Sequence, residues 1–514
     1  MNMVSPDCPA VTAMSFMKMW ATTPGFGRLL RTTTVLIAHT RGLGAYTAAP
    51  ITSTVHPSKR STDFQFAASG IRLFGYLPFC FLLFSCSVTK QISRQADTIL
   101  LKDSAIRQGH IGISIYEPAT GKYWYEHNAT HYFIPASNTK LFSLYAGLKY
   151  LGDSLIGARI SGDKNTITLY PSGDPTFLNP EFTFQPVAGK LKSYKNISVN
   201  NNTWLSESKG YGWAWDDYNE AYMTERSSFP IYNNVIRFLL KNNTLLTTGG
   251  PVNMMPGKQA DSTIGFDLDA HTVASTKFFI ERSYGRNDFY LNNANASFKE
   301  QSVPFITDAE FIADLLKDTL KLEDVFFFRT DRKDPDYAKA TVIRSQPVDS
   351  LFRPMMYRSD NFYAEQTLLM ASNEHLGFMN EARMIDTLLK QDLKDIPQKP
   401  KWVDGSGLSR YNLFTPQSFV YILNKMKNEF GWERIKNLLP TGGKGTLASY
   451  YKKDSAFIYA KTGTLSNNCS LSGYLITRKG KLLIFSVLTN NYPTGATPVR
   501  RAVERFLSGI REKY

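Results

Sequence analysis

Cysteine and histidine are scarce in this chain of 514 residues. The cysteines are Cys8, Cys80, Cys86 and Cys469, and their spacing fits neither a disulfide framework nor a C-x-x-C metal site. The seven histidines form no H-E-x-x-H motif, and the sequence has no G-x-S-x-G nucleophile elbow. These absences disfavour metal hydrolysis and histidine triads, so we expect no metal ion and no cofactor.

Acidic residues are outnumbered, with 44 Asp and Glu against 59 Lys and Arg, which gives a net charge of +15. Such a chain suits anionic partners. It lacks a basic run with interleaved aromatic residues and zinc-finger spacing, so we do not expect nucleic-acid binding. The hydrophobic share of 43% is that of a globular protein. The length predicts two or three domains.

The one short apolar run near the N-terminal side, Leu73–Phe84, is too short for a comfortable membrane span. Arg72 precedes it, and the sequence Leu-Phe-Ser-Cys that ends at Cys86 resembles a bacterial lipobox. Residues 71–85 therefore predict a lipoprotein signal peptide, and Cys86 a lipidation site at the periplasmic side of the cell envelope. The alternative is a buried cysteine in an apolar helix. Residues 1–70 lack periodicity, and we expect them to be a non-structural N-terminal extension.

The pattern S-x-x-K raises the question of an activated serine nucleophile, but it is common in this chain. It starts at Ser15, Ser87, Ser137, Ser161, Ser206 and Ser449. Only Ser137 stands between a predicted strand pair, His110–Asn128, and a buried helix beginning near Leu141. On a helix, residues three apart share a face, so Lys140 could remove the proton from Ser137.

The rest of the chain divides by its pattern of predicted elements. Many short strand-like runs separated by Asn, Gly and Pro turns occupy residues 156–345, which predict inserted β-rich domains. Helix-like segments such as Asn361–Gly377 return after residue 346, and the chain finishes with two strands and an amphipathic helix. We expect 86–155 and 346–514 to form one α/β (α+β) sandwich, an antiparallel sheet flanked by helices.

Two further motifs accompany Ser137. Ser359-Asp360-Asn361 stands at the head of a predicted helix, and Lys461-Thr462-Gly463 at the end of a predicted strand. S-x-N also occurs at Ser198 and Ser466, whereas K-T-G occurs once. The ordered set of three motifs is the signature of the serine penicillin-recognising enzymes, which are penicillin-binding proteins and β-lactamases.

Residues from about 100 to 514 resemble the D-alanyl-D-alanine carboxypeptidase/endopeptidase family, the class C low-molecular-mass penicillin-binding proteins of the penicillin-binding protein 4 type. WVDGSGLSRYNLFTP, LPTGGKGTLASYY and AKTGTLSNNCSLSGY are typical of that family. The 222 residues that separate Ser137 from Ser359 match the domains this family inserts there. The resemblance implies a serine β-lactamase/DD-peptidase-like fold, with peptidoglycan peptides and β-lactams as partners.

The resemblance also implies roles for the motif residues. Ser137 would attack the carbonyl of a D-Ala-D-Ala-type bond, with Lys140 as the base. Ser359 would relay a proton to the leaving amine, and Asn361 would hold Lys140 or the substrate amide. Lys461 would lower the pKa of Lys140 through its charge.

The remaining implied roles concern substrate binding. Thr462, with the lysine before it, would hold the terminal carboxylate, and Gly463 would let the strand approach closely. The backbone N–H groups of Ser137 and Thr464 would hold the oxyanion. In the insert, an aromatic–acidic cluster would supply an acid for the basic side chain of the peptide, with Asp217 preferred. The other members of this cluster are Trp213, Trp215 and Asp216, and Asp216 is the second choice for the acid.

Alternative interpretations stay open at this point. The aromatic–acidic cluster is equally compatible with a solvated acidic turn beside core tryptophans. A β-lactamase is the second enzyme hypothesis, although no E-x-x-L-N motif lies between Asn361 and Lys461. A non-catalytic penicillin-recognising sensor or scaffold is the third, and the intact triple motif argues against it.

Overall fold

The computed structural model describes residues 88–241, 244–248, 268–269, 280–291, 300–330 and 334–514. The chain divides into two units, Met1–Arg72 and Leu73–Tyr514, and all described residues belong to the second. The predicted N-terminal extension, the predicted signal peptide and the lipidation site Cys86 therefore lie outside the described residues.

Strands in the described part of the chain are numbered in sequence order. They are β1 (His110–Glu117), β2 (Lys122–His127), β3 (Ser154–Gly162), β4 (Thr166–Pro171), β5 (Asn196–Asn200), β6 (Val235–Lys241), β7 (Thr244–Thr248), β8 (Leu268–Asp269), β9 (Ile280–Arg282), β10 (Phe289–Leu291), β11 (Glu300–Pro304), β12 (Asp324–Phe328), β13 (Thr341–Pro347), β14 (Ile458–Leu465), β15 (Asn468–Ile476) and β16 (Leu482–Asn490).

Helices are numbered in the same way, and the described part of α1 covers residues 88–96. The others are α2 (Lys140–Tyr150), α3 (Pro186–Leu191), α4 (Ala309–Leu320), α5 (Val348–Tyr357), α6 (Asn361–Leu376), α7 (Glu381–Lys390), α8 (Pro416–Phe430), α9 (Trp432–Leu438) and α10 (Ala496–Lys513). None of the helices in these described ranges is both long enough and apolar enough to cross a membrane.

A five-stranded antiparallel sheet joins the two sequence-distant parts of the molecule, in the order β14-β15-β16-β1-β2. The β1–β2 hairpin and the β15–β16 pair confirm the predicted strand pairs. On α10 the predicted apolar face is buried, namely Val499, Ala502, Val503, Phe506, Leu507 and Ile510. These side chains share a core with Ile113 and Val487 of the sheet. The predicted class, an antiparallel sheet flanked by helices, is confirmed.

The second helical layer contains α2, which is buried on all sides from Lys140 to Leu148. It lies against α6, whose residues from Phe362 to Asn373 are also buried. A helix that is apolar all round belongs in a protein interior, and the buried part of α2 fits this rule except for Lys140 and Ser143. A lysine placed in such a helix is costly unless it is partnered. The fold thus places the buried amine of Lys140 at the first residue of α2.

Between these two parts, the chain builds a separate sheet in the order β12-β5-β4-β3-β13 and two smaller three-stranded sheets. They share a core with α4, whose buried Ile312, Leu315 and Leu316 face the strands. Asp308 caps α4 by accepting a hydrogen bond from Phe311 N at 2.8 Å. The sequence pattern predicts only strand-like runs here, so this helix was not expected.

Candidate active site

Ser137 lies in a single 3-10 turn, Ala136–Thr139, that leads directly into α2. Its side chain is half-buried, and Lys140 Nζ donates a hydrogen bond to Ser137 Oγ at 2.9 Å. The three-residue spacing therefore does place the amine beside the hydroxyl. Ala136 has a positive φ of 47°, an uncommon conformation for a residue other than glycine. This turn presents the serine at the end of the buried helix.

The amine of Lys140 is held by two further acceptors. It donates to Asn361 Oδ1 at 2.6 Å and to the backbone oxygen of Ser406 at 2.7 Å. Together with Ser137 these acceptors match the three donors of an ammonium group. Burial lowers the pKa of Lys140 to about 8, although nearby carboxylates act in the opposite direction. Lys140 is therefore much closer to deprotonation at neutral pH than an exposed lysine.

A second buried lysine approaches from β14. Lys461 Nζ donates to Ser359 Oγ at 2.7 Å and to the backbone oxygen of Thr462 at 2.7 Å. Burial, and then the positive charge of Lys140, hold the pKa of Lys461 well below its usual range. Ser359 has a positive φ of 63°, a strained backbone that places its hydroxyl beside the lysine. The site thus contains two serine–lysine pairs drawn from three segments of the chain.

Gly463 sits where β14 passes the turn that holds Ser137. A Cβ atom at this position would lie 2.7 Å from Pro135 O and 2.9 Å from Ser137 N. The absence of a side chain is therefore what allows the strand to approach Ser137. Asn138 reinforces the contact, because its amide, oriented to satisfy both groups, donates to Lys461 O at 2.7 Å and accepts from Ser472 N at 3.2 Å.

Behind Lys140 lies Glu365, a carboxylate that sequence reasoning missed. Glu365 is fully buried in α6 and accepts hydrogen bonds from Gly405 N at 3.1 Å and Ser406 N at 2.7 Å. Arg226 from the insert pairs with it at 3.4 Å. Burial, and then the charge of Asp404, raise the pKa of Glu365 to about 7. Glu365 is four residues after Asn361, so the two residues share one face of α6. This spacing is the one sequence signal that could have identified Glu365.

Asp404 is the second missed carboxylate, and it organises the loop that contacts Lys140. It accepts from Gly407 N at 2.8 Å, from Ser409 N at 2.7 Å and from Trp213 Nε1 at 3.0 Å. Gly407 has a φ of +81°, and a Cβ there would lie 1.9 Å from Ala136 O. The loop can therefore cross the turn that holds Ser137 only with glycine at this point.

Tyr222 connects the aromatic–acidic cluster of the insert with Asn361. The backbone oxygen of Tyr222 accepts a hydrogen bond from Asn361 Nδ2 at 2.9 Å. Burial, followed by a hydrogen bond to Asp217, raises the pKa of the Tyr222 hydroxyl. Asp217 is half-buried in the 3-10 turn Trp215–Asp217, whereas the other two residues of that turn are exposed. Tyr222 thus links Asp217 to Asn361, because its hydroxyl bonds to Asp217 and its backbone oxygen bonds to Asn361.

The structure brings the five predicted residues together as two hydrogen-bonded sets, Ser137–Lys140–Asn361 and Ser359–Lys461. The charge of Lys140 acts on Lys461 and so couples the two sets. Thr462 is half-buried beside them, and the exposed Thr464 is bonded through its hydroxyl to the side chain of Arg500. A serine with a buried amine at hydrogen-bond distance, and a second serine–lysine pair beside it, can form and hydrolyse an acyl-enzyme.

This constellation, on an antiparallel sheet flanked by helices, defines a serine enzyme of the penicillin-recognising class. Residues 92–510 match the model of the D-Ala-D-Ala carboxypeptidase 3 (S13) family, and the chain belongs to that family. The predicted family and its activity are thereby confirmed, and the protein is a serine-type D-Ala-D-Ala carboxypeptidase, a hydrolase.

Relatives are similar over most of their length. The chain is 25% identical to the D-alanyl-D-alanine carboxypeptidase of Actinomadura sp. strain R39, over 78% of this chain and 81% of the relative. It is 23% identical to the D-alanyl-D-alanine carboxypeptidase DacB of Haemophilus influenzae, over 72% and 83%. The crystal structure of penicillin-binding protein 4 from Haemophilus influenzae has a TM-score of 0.62 at 17% identity, covering 82% of this chain and 99% of that one. This last likeness concerns the fold.

Proposed function

We propose that this enzyme cleaves D-Ala-D-Ala-type bonds in peptidoglycan stem peptides and cross-links, through an acyl-enzyme on Ser137. The observation that carries the proposal is the pair of buried lysines, each within 3 Å of a serine hydroxyl, at 2.9 Å for Lys140 and 2.7 Å for Lys461. Hydrogen-bond reach between nucleophile and base is the geometric condition for proton transfer.

Acylation uses these groups in order. Ser137 Oγ attacks the carbonyl carbon while its proton passes to Lys140 Nζ, and the C–N bond of the substrate then breaks. The leaving amine receives the proton that Lys140 took from Ser137, relayed through the Ser359 hydroxyl, which Lys461 orients. Asn361 keeps Lys140 in place through its 2.6 Å contact. Water attacks the ester in the second half of the reaction and releases the shortened peptide.

The two lysines make deprotonation of Lys140 depend on the bound substrate. Lys140 has Asp404, Glu365 and Asp360 as neighbouring negative charges, whereas Lys461 faces the charge of Lys140. A substrate carboxylate bound at Lys461 and Thr462 restores the charge on Lys461. That charge repels a proton on Lys140, which becomes the neutral amine that the reaction requires. Binding of the correct carboxylate thus activates the nucleophile.

The carbonyl oxygen of the substrate takes its place between β14 and the start of α2. Backbone N–H groups of Ser137 and Thr464 are suited to hold the developing negative charge. The space between β14 and the start of α2 is narrow, since a Cβ added to Gly463 would lie only 2.9 Å from Ser137 N.

Substrate choice rests on the insert in this proposal. Asp217 offers a carboxylate near Asn361 through its contact with Tyr222, and it suits a basic side chain of the stem peptide. Trp215 and Asp216 supply exposed surface beside it. β-Lactams occupy the same site, because they present a reactive carbonyl and a carboxylate to Ser137 and Lys461.

The proposal extends to organisation and location. We infer that 86–155 and 346–514 form the penicillin-binding domain and that 156–345 form the inserted lobes. The five-stranded sheet formed from both ends supports this division. Cys86 would carry the lipid that holds the enzyme on the periplasmic side of the bacterial cell envelope, and the lipobox-like sequence supports this location.

Labelling with a fluorescent penicillin tests the proposed nucleophile. Ser137→Ala should abolish labelling and the release of D-alanine from muropeptides measured by mass spectrometry. Ser206→Ala and Ser449→Ala interrupt other S-x-x-K patterns and serve as matched controls that should label normally. Labelling that persists in Ser137→Ala, or that is lost in either control alone, would contradict the assignment. Penicillin labelling without any peptide cleavage would favour the non-catalytic sensor.

A further inference from the structure

Positive charge is concentrated at the C-terminal end of the chain. Residues 444–514 contain twelve Lys and Arg against three Asp and Glu, a net charge of +9. Residues 86–443 are almost balanced, with a net charge of +1. The catalytic chemistry uses Lys461 alone among these twelve cations, so this excess of charge calls for another explanation.

Five of these twelve cations and all three acidic residues line one open groove of about 920 Å³ beside α10. Its cations are Lys452, Lys453, Arg478, Arg501 and Arg505. The acidic residues in the groove are neutralised by arginines, since Asp454 pairs with Arg511 at 3.4 Å, Glu504 with Arg501 at 2.5 Å and Glu512 with Arg478 at 2.5 Å.

Three lysines around this groove keep their charge available. Lys452, Lys453 and Lys479 are exposed, and none forms a salt bridge with another residue in the described ranges. Lys479 is in the β15–β16 turn, where its backbone N–H donates to Tyr514 O at 3.0 Å. We call the surface formed by Lys452, Lys453, Arg478 and Lys479 the basic face.

The first described helix begins beside this basic face. Gln91 in α1 accepts a hydrogen bond from the Tyr514 hydroxyl at 3.1 Å, and Gln95 donates to Phe506 O at 3.4 Å. α1 therefore runs along α10, and its start lies at the end of α10. Cys86 stands two residues before Val88 in the sequence, and two residues of chain reach at most about 7 Å. A lipid on Cys86 would emerge near the basic face.

We propose that the basic face binds the anionic headgroups of a lipid membrane. Lysines close to an anionic membrane are attracted to its surface, and a single acyl signal is typically joined by a basic patch in stable anchoring. The position beside Cys86 favours a membrane over a soluble polyanion, because the same end of the molecule would face the lipid. The binding itself does not depend on acylation, so it can be tested without the lipid.

Vesicle flotation of the full chain carrying Cys86→Ser provides the test. The probes are phosphatidylcholine vesicles with and without phosphatidylglycerol, at low and at high salt. Parent protein should bind the phosphatidylglycerol vesicles more tightly, and salt should weaken that binding. The variant Lys452→Glu, Lys453→Glu, Lys479→Glu should lose about a hundredfold of this affinity or more. Penicillin labelling of this variant should be unchanged, which verifies its folding.

The matched control reverses the same amount of charge on the insert. It carries Lys164→Glu, Lys190→Glu and Lys192→Glu, all exposed positions, and it should keep the binding to phosphatidylglycerol vesicles. Equal loss in both triple variants would overturn the proposal, because net charge alone would then explain the effect. The proposal would also be overturned if the triple variant of the basic face kept its vesicle binding but lost binding to a soluble polyphosphate. The basic face would then be assigned to a soluble anionic polymer. Neither result would bear on the proposed catalytic function.

Discussion

Replacement of Gly463 by alanine tests the close approach of β14 to the nucleophile. The added Cβ would lie 2.2 Å from Ser470 Oγ, 2.7 Å from Pro135 O and 2.9 Å from Ser137 N. The Ser470 hydroxyl is held by its own 2.6 Å hydrogen bond to Pro135 O, so it cannot rotate away without losing that bond. The strand and the nucleophile turn must therefore separate.

The structure sets the size of the effect. Unstrained contacts between heavy atoms begin at about 3.5 Å, so the two backbone atoms must recede by roughly 0.5 Å or more. Misplacement of catalytic groups by about 1 Å costs on the order of a hundredfold in rate. We expect acylation by penicillin to be about 10 to 100 times slower in Gly463→Ala. Overpacking should also reduce the free energy of unfolding by about 1–3 kcal/mol.

Stopped-flow acylation and thermal unfolding separate these two effects. Gly157→Ala is a packing control in the insert, where a Cβ would meet Val187 Cγ2 at 2.5 Å. It should lower the melting temperature while acylation by folded protein stays normal. Gly189→Ala, where no atom lies within 4 Å of the added Cβ, should change neither quantity. Normal acylation of Gly463→Ala would refute the reasoning that links this glycine to the position of Ser137.

Two further predictions concern the lysine pair and the lipid. Acylation should accelerate as pH rises through the pKa of Lys140, about 8, because the proposed base is the neutral amine. Glu365→Gln removes a carboxylate that raises this pKa, so the midpoint of the pH profile should fall by about one unit. Glu374→Gln is the control, and an upward shift in Glu365→Gln would contradict the argument. Cys86→Ala should abolish metabolic labelling with palmitate whereas Cys80→Ala should not, and residues 1–85 on the mature protein would exclude lipidation.

Local pattern was sufficient to predict much of the sandwich. The β1–β2 hairpin follows from two strand-like runs around a turn. The apolar face of α10 follows from hydrophobic periodicity, because that helix buries one face. The helix α4 carries the same signal, with Ile312, Leu315 and Leu316 at helical spacing. It was missed because the surrounding strand-like runs dominated the interpretation of the insert.

The carboxylates behind Lys140 could not be predicted in the same way. Glu365 and Asp404 come from separate segments, and their partners are backbone N–H groups that carry no side-chain identity. Arg226 reaches Glu365 across 139 residues of sequence. No short-range rule connects such positions. The sequence could predict that the three motifs form one site only because their order along the chain matches the order in a known family.

The contact of the insert with these carboxylates gives it more than a substrate-binding role. Arg226 is fully buried and ion-paired with Glu365, and Trp213 donates to Asp404. Removal of one partner from a buried ion pair typically costs about 3–5 kcal/mol, because the remaining charge is uncompensated. If the insert moved away, Glu365 would lose the cation that lowers its pKa and would take up a proton more readily, which changes the charge beside Lys140. Correct docking of the insert and readiness of the proposed base are therefore coupled through the same two carboxylates.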